Sequence, residues 1–485
     1  MVRALPGTSR RGHAGRRSRR GISLPAAVSA HGRMVYPNQW RDRGRSGPQG
    51  RGGPAMTMHS KALPGPDDIT RRELPNGIVI LVRENHHAPS VVIAGSVEAG
   101  ALFEPVELNG LASFTASMLM RGTQTRDFAT IYELLEGNGA SLSIGSGHHT
   151  VGFSGKSLAE DLPMLLDLLS DALRRPAFPP EYVERLRGQT ITGLKVHEQD
   201  TRYTASRLFR ELVYPGEHPY SRSTDGTIDT VSAITRDHLI DFHRRYFGPC
   251  GMVITVVGAV QTEEAIRLVD AYFGDWVQPD QPVPPELPPV PPIGTVRQQI
   301  LTMAGKSQND LVMGGPGPSR FAEDWQAANL ANSILGVFGM YGRIGAVVRE
   351  QNGMAYYSFS RLDGGLGPGP WRVVAGVDPA NVFRAIDVIQ GEIRRLVSEP
   401  VSADELADNK ANFIGRLPLQ LESNEGVAGS ILSMERYNLG LDYLRRYADL
   451  VSALTVDDVL AAARHYLNPD VYALAVAGPE LPALS

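Results

Sequence analysis

The sequence predicts an α+β protein of two homologous domains, each a mostly antiparallel sheet packed with helices. The first indication is an internal repeat: segments 229–249 and 449–469 are identical at nine of 21 positions, at a constant offset of 220. The second is that amphipathic helical segments alternate with short strand-like runs in both halves of the chain. The third is the proline-dense segment 277–293, which must be extended and stiff and so indicates a linker.

The length supports this division, because 485 residues are too many for one ordinary hydrophobic core. We predict a first domain over 69–278, a Pro-rich linker over 279–296 and a second domain over 297–482. An Arg-rich tail, 1–55, precedes them and is expected to be disordered, since it has no helical or strand period.

Charge and cysteine content narrow the class of protein. The tail carries twelve Arg and one acid, a charge of +11, so the remaining 36 basic and 51 acidic side chains give −15. An acidic body argues against nucleic-acid binding as the main task. No apolar run is long enough to span a bilayer. Cys250 is the only cysteine, which fits a reducing compartment, and its neighbours indicate a turn residue and not a nucleophile.

Three interpretations of the tail 1–55 stay open. It is Arg-rich and acid-poor, as an organellar transit peptide is, but Gly and Pro interrupt any amphipathic pattern. A secretory signal could end at Ala30, although the apolar segment before it is weak. We favour a solvated tail or a start codon placed too early, with Met34, Met56 and Met58 as later starts. A cytoplasmic location in a bacterial-type cell follows as the expectation.

Local patterns predict the elements of the first domain. A turn at Asn76-Gly77 precedes a strand. His148 and His149 fall in a weakly alternating stretch, where adjacent side chains would point to opposite faces, so we predict exposed strand residues and not a metal pair. The predicted strands reach residue 83 and cover 90–100 and 252–258; the predicted helices cover 128–136, 158–175, 180–198 and 229–246, and a further helix ends at 273.

The segment 109–123 resembles a known active-site helix. It opens with the turn pair Asn109-Gly110 and then runs apolar and small for about three turns to Gly122, which predicts a buried helix. It resembles the active-site helix of the insulinase and mitochondrial-processing-peptidase family, written Gly-Leu-Ala-His-x-x-Glu-His-Met-Leu-x-x-Gly-Thr. In that family the two His bind zinc from one helix face and the Glu acts as general base. The resemblance implies two domains of the metallopeptidase type.

The residues that carry the family's chemistry are replaced. Ser113 and Ser117 stand at the two His positions and Ala116 at the Glu position. The family's third ligand, a Glu about 75 residues beyond the second His, would fall near Gly193, where no carboxylate is found. Hydroxyls are poor zinc ligands and alanine cannot take a proton from water, so we expect no metal and no other cofactor in this chain.

A second motif is kept. The segment 342–358 is similar to the family's second-domain motif, Arg-Glu-x-x-Gly-Leu-Ala-Tyr, and places Arg349 and Tyr356 seven residues apart. The resemblance implies that this pair reaches a zinc site and stabilises the oxyanion formed on a substrate carbonyl. The alternative is that Arg349 caps a helix and Tyr356 packs in a strand. Where relatives often carry Asn-Ala for substrate binding, this chain has Ser143-Ile144.

These features favour one function and leave two others open. The resemblance implies the non-zinc subunit of a heterodimeric zinc metalloendopeptidase, which is not catalytic alone, encloses peptide substrate and supplies Arg349 and Tyr356 in trans to a zinc-bearing homologous partner. The alternative is a structural or assembly subunit, like the peptidase-derived core proteins of respiratory complexes. A free-standing enzyme with a relocated site is the third, but no second His/Glu cluster with ligand spacing supports it.

Overall fold

The computed structural model describes residues 63–482, which belong to one compact unit. The predicted tail at 1–55 and its targeting interpretations lie outside these residues. Within 63–482 two α+β repeats follow one another, as the sequence predicts.

The first repeat is a six-stranded sheet packed with helices, with strand order β1-β2-β6-β3-β5-β4. Neighbouring strands are antiparallel except for β2 and β6, which are parallel. The strands are β1 (Thr70–Glu73), β2 (Val79–Glu84), β3 (Ser90–Val97), β4 (Ser141–Ser146), β5 (Val151–Leu158) and β6 (Val253–Gly258). The helices are α1 (Leu111–Met118), α2 (Phe128–Gly137), α3 (Leu162–Arg174), α4 (Pro180–Glu198), α5 (Thr201–Val213), α6 (Ile228–Ala233), α7 (Arg236–Tyr246) and α8 (Thr262–Phe273).

The second repeat has the same plan, with strand order β7-β11-β8-β10-β9 and one parallel pair, β7 with β11. The strands are β7 (Arg297–Thr302), β8 (Asn309–Pro316), β9 (Ala355–Leu362), β10 (Pro370–Val377) and β11 (Ala473–Gly478). The helices are α9 (Trp325–Gly336), α10 (Phe338–Ile344), α11 (Val382–Ser398), α12 (Ala403–Gln420), α13 (Asn424–Arg436), α14 (Tyr443–Ala453) and α15 (Val456–Tyr466), and a π-helical segment, Gly345–Gln351, follows α10.

The repeat detected in the sequence is a repeat of structure. Three elements of the first repeat begin 220 residues before their counterparts, namely α3 before α11, α7 before α15 and β6 before β11. In each repeat the last strand lies between the first long strand, with which it is parallel, and the next strand, with which it is antiparallel. The prediction of two homologous, mostly antiparallel domains is therefore confirmed.

One helix of each repeat packs against the sheet of the other repeat. The buried face of α5 carries Ala205, Leu208, Phe209 and Val213, at helical spacing, and packs against residues of β8, β10 and β11. Its counterpart α13 packs on β3 and β6 of the first sheet. Buried polar contacts reinforce the exchange: Thr201 Oγ1 donates to the Asp310 carboxylate at 2.5 Å. The two repeats thus share a hydrophobic cluster in addition to the core that each has of its own.

The segment between the repeats is held against the surface. Residues 277–296 form neither helix nor strand, as predicted for a linker. Gln281 bonds both the N–H and the carbonyl of Cys250, each at 2.9 Å, and Val290 and Ile293 pack against the core around α5. Cys250 itself is an exposed free thiol in a turn, which confirms its predicted position in a turn.

Three sequence predictions were wrong in detail. The helix α1 ends at Met118 and not at Gly122, because the chain turns at the buried pair Leu119-Met120. The stretch 229–246 is two helices, since Ile234 is extended and Thr235 caps a new helix by accepting from the His238 N–H. His148 and His149 lie in the turn between β4 and β5, not in a strand, and both contact the Tyr220 ring.

Candidate functional site

A buried carboxylate fixes the beginning of α1. Glu104, 6% exposed, accepts from the N–H groups of Gly110 and Ala112 at 3.0 and 2.9 Å and from the Asn109 amide at 2.7 Å. These are the free donors of a helix N-terminus, where negative charge is stabilised. The hydrogen bonds from these donors lower the pKa of Glu104, but burial has the larger effect and raises it. Glu104 thus anchors the helix that carries Ser113 and Ser117.

The turn predicted at Asn109-Gly110 is present and closely packed. Gly110 has a φ of 98°, and a Cβ there would lie 2.9 Å from the carbonyl oxygen of Asp225. Thr230 Oγ1 donates to the Asn109 carbonyl at 2.7 Å, and the Asn109 amide donates to the Ser223 carbonyl at 2.9 Å. The turn therefore joins α1 to the loop before α6.

The structure brings the sequence-predicted positions together around one cavity. A cavity of about 250 Å³ lies between α1 and α4 and is lined by Ser113 and Ser117 from α1 and by Gly193 from α4. The position counted from the family spacing, Gly193, therefore does face the two serines. Ala116, by contrast, is 1% exposed and belongs to the core of the first repeat.

Two further residues of this cavity were not predicted from the sequence. His197 lies one helical turn after Gly193 on α4, and Asp225 precedes the glycine that packs on the Asn109 carbonyl. The spacing of four residues on a helix was a signal that could have identified His197. Both side chains are exposed, and His197 packs against the Tyr203 ring at 4.7 Å between centroids.

The donor set at this cavity does not fit zinc. Structural and catalytic zinc sites use Cys, His and carboxylate ligands, usually three or four together. The α1 face offers two neutral hydroxyls and position 193 offers no side chain, so His197 and Asp225 are the only side chains of ligand type in the lining, fewer than the three or four that zinc uses. Within residues 63–482, no group of three or more His, Cys, Asp or Glu side chains is placed to hold a metal ion.

Tyr356 and Arg349 lie in the second repeat, away from this cavity. Tyr356 is on β9, the edge strand of the second sheet, and its side chain is 88% exposed. Its neighbour Tyr357 points to the other face of the strand and donates to the Asp310 carboxylate. Arg349 is half-buried in the π-helical segment. The alternative that Tyr356 packs in a strand is therefore wrong for its side chain.

The cavity between α1 and α4 is lined by the first repeat, and neither Arg349 nor Tyr356 is among its lining residues. The segment of Arg349 packs on α10, α11 and β9 of its own repeat. Among the interactions of residues 63–482, neither side chain forms a hydrogen bond or an ion pair, so both retain all their donors. The second-repeat motif thus contributes no residue to the lining of this cavity.

The edge of the first sheet lies beside the cavity. Ser143 and Ile144 are on β4, the outermost strand of this sheet, and α1 packs against that strand. The outward positions Ser141, Ser143 and Gly145 are exposed. An unpaired strand edge can accept an extended peptide through main-chain hydrogen bonds.

Comparison with known proteins gives consistent matches. The profile of insulinase, peptidase family M16, matches residues 79–216, and that of the peptidase M16 inactive domain matches residues 233–413. Two sequence relatives are an uncharacterized zinc protease of Streptomyces coelicolor, 26% identical over 85% of this chain and 90% of the relative, and the mitochondrial-processing peptidase subunit beta of Saccharomyces cerevisiae, 27% identical over 78% and 83%.

Solved structures agree with these matches. A peptidase M16 inactive domain from Pseudomonas fluorescens superposes with a TM-score of 0.79 at 25% identity, covering 86% of this chain and all of that one. A protease from Helicobacter pylori gives a TM-score of 0.80 with the same coverage, and at 18% identity it supports the fold alone. No helix of residues 63–482 has the length and hydropathy that a membrane crossing requires.

Proposed function

The chain belongs to the insulinase family of peptidases, and from that premise we propose that it is the non-zinc subunit of a heterodimeric metalloendopeptidase. In this proposal a zinc-bearing homologous subunit holds the metal, and this chain helps to enclose the peptide. It also presents Arg349 and Tyr356 to the partner's active site. With its single exposed cysteine, the chain is placed by the same proposal in the reducing bacterial cytoplasm.

The cavity between α1 and α4 is the observation that carries the proposal. It keeps the geometry of a site, since Ser113 and Ser117 lie on one face of α1 opposite Gly193 of α4. The side chains there cannot replace a His, His, Glu ligand set. In the proposed pair, this chain therefore keeps the cavity between α1 and α4 but not its metal ligands, and the partner chain holds the metal.

The exposed tyrosine gives this chain a chemical task. A phenol that is 88% exposed on an edge strand can donate to an atom of a facing molecule. The Arg349 guanidinium has no carboxylate partner within residues 63–482, so its N–H groups can donate to the same atom, the carbonyl oxygen of a bound peptide. When water adds to a peptide carbonyl, negative charge develops on that oxygen, and donors placed there stabilise the transition state.

The experiment is peptide cleavage by the pair reconstituted with a zinc-bearing homologue from the same genome. Loss of one oxyanion donor costs on the order of 3 kcal/mol, about a hundredfold in rate. Tyr356→Phe and Arg349→Ala should each lower kcat by about that factor. KM should change little, because the donors act mainly in the transition state.

Two controls separate this role from folding or assembly. Ser117→Ala changes a hydroxyl in the cavity that the proposal gives no chemistry, and Arg267→Ala removes an exposed arginine of α8 paired with Glu264. Both should leave cleavage unchanged, and all four variants should still form the pair. If Tyr356→Phe and Arg349→Ala also left cleavage unchanged, the structural or assembly subunit would be the better account.

A further inference from the structure

A second cavity lies where the two repeats meet. The hairpin end 145–152, which is the turn between β4 and β5 with the adjoining strand residues, faces the glycine-rich turn between β9 and β10, residues 363–369, around a cavity of about 580 Å³. These turns are counterparts in the two repeats. The cavity is separate from the one between α1 and α4, and the proposed function has not used it.

Most of the charged residues that line this cavity are arginines. Four of them, Arg210, Arg361, Arg372 and Arg436, face a single lining carboxylate, Asp363. That carboxylate is already occupied, since Arg361 and Arg372 lie 2.5 and 2.9 Å from its two oxygens. Arg436 donates to the hydroxyl of Thr150 at 2.6 Å. The lining thus carries an excess of positive charge.

Arg210, on α5, is the least compensated of these side chains. Its Nε is buried and has no hydrogen-bond partner among the described residues. Glu211 and Asp225 attract its guanidinium, but no carboxylate of residues 63–482 forms an ion pair with it, and Glu211 pairs with Arg207 at 2.7 Å. Burial lowers the pKa of Arg210, which is the expected response of a desolvated and unpaired cation. A buried charge without an ion-pair partner is costly, so an anionic group bound at this position would stabilise Arg210.

The remaining polar groups of the cavity are neutral. Tyr220 bonds His149 Nε2 at 2.5 Å and accepts the Gly367 N–H at 3.2 Å. Burial lowers the pKa of His149 to about 4, and the charges of His148 and Arg436 add to that shift. Burial also lowers the pKa of His148, with Arg210 contributing. The histidines therefore stay uncharged at neutral pH, and the arginines supply the positive potential.

We propose that this cavity binds a carboxylate, supplied by an acidic side chain of a peptide that runs along the edge of β4. The guanidinium of Arg210 offers paired N–H donors that match the two oxygens of a carboxylate. Gly145 and Ser146 belong both to the edge strand β4 and to the cavity lining, so a peptide added to that edge has its side chains beside the arginines. The proposal rests on the proposed function only for the choice of a peptide as the source of the carboxylate.

The test is calorimetric titration of the full chain, without any partner, using two blocked nonapeptides that differ only in a central Glu or Gln. Hydrogen bonds to charged groups predict that the Glu peptide binds at least about tenfold more tightly. Arg210→Gln should abolish this preference, and Arg436→Gln should reduce it. Arg267→Gln, an exposed arginine on α8, should keep it. Thermal melting of each variant shows whether it is folded, and if Arg210→Gln unfolds, Arg436→Gln carries the test.

Inorganic phosphate distinguishes a free anion from a peptide. Phosphate that competes with the Glu peptide in an Arg210-dependent manner supports one shared site. If phosphate binds through Arg210 while the two peptides bind equally, the source is a free anion and the peptide assignment is overturned. If neither the Glu preference nor phosphate binding is found, the anion site itself is overturned. Because the partner is absent, any of these results leaves the cleavage test untouched.

Discussion

At the scale of single residues, Gly110 and Gly193 contribute differently to the cavity between α1 and α4. Gly110 is needed for its backbone, because its φ is 98° and an added Cβ would lie 2.9 Å from the Asp225 carbonyl oxygen. Gly193 is in the middle of α4, where an added Cβ would meet no atom within 4 Å. One glycine therefore supports the fold, while the other only leaves space in the cavity.

This difference predicts opposite effects of the same substitution. Gly193→Ala should raise the free energy of unfolding by about 0.5–1 kcal/mol, because alanine is the better helix former. Gly110→Ala should lower it by about 1–2 kcal/mol or more, from the left-handed backbone alone. Urea unfolding of both variants and the parent chain measures this. A destabilising Gly193→Ala would mean that position 193 contacts a group that the structure does not place there.

At the scale of elements, the sequence indicated which helices and strands exist better than what they pack against. Pro180 defines the start of α4, and the predicted range 180–198 is the observed one. The positions of His148 and His149 were wrong because weak alternation does not show where a hairpin turns. The apolar face of α5 indicates burial, but periodicity cannot show that it covers the sheet of the other repeat.

The exchange of α5 and α13 predicts that the two repeats unfold together. Phe209, fully buried on α5 against the second sheet, belongs to the hydrophobic cluster that the two repeats share. Phe209→Ala should cost about 3–5 kcal/mol and leave a single calorimetric transition at a lower temperature. Glu211→Ala, at an exposed position on the same helix, should cost no more than about 0.5 kcal/mol. Two separate transitions, with only one shifted, would show that the repeats fold independently.

At the scale of the whole molecule, the first repeat contains the cavity between α1 and α4, and the second repeat contains the exposed hydrogen-bond donor Tyr356. The sequence predicted Ser113, Ser117 and Gly193 as one site because the family spacing is kept, and the structure places them around one cavity. It could not indicate the arginine-lined cavity, because its residues come from five separate segments of both repeats. Only the folded chain brings those charges together.

The zinc content of the purified chain and of the reconstituted pair, after dialysis, tests the central claim most directly. Two hydroxyls, a glycine and only two side chains of ligand type, His197 and Asp225, do not make the set of three or four ligands that zinc requires, so we predict no stoichiometric zinc in this chain alone. The pair should contain one zinc, held by the partner. One tightly bound zinc in the isolated chain would contradict the account and favour a free-standing enzyme with a relocated site.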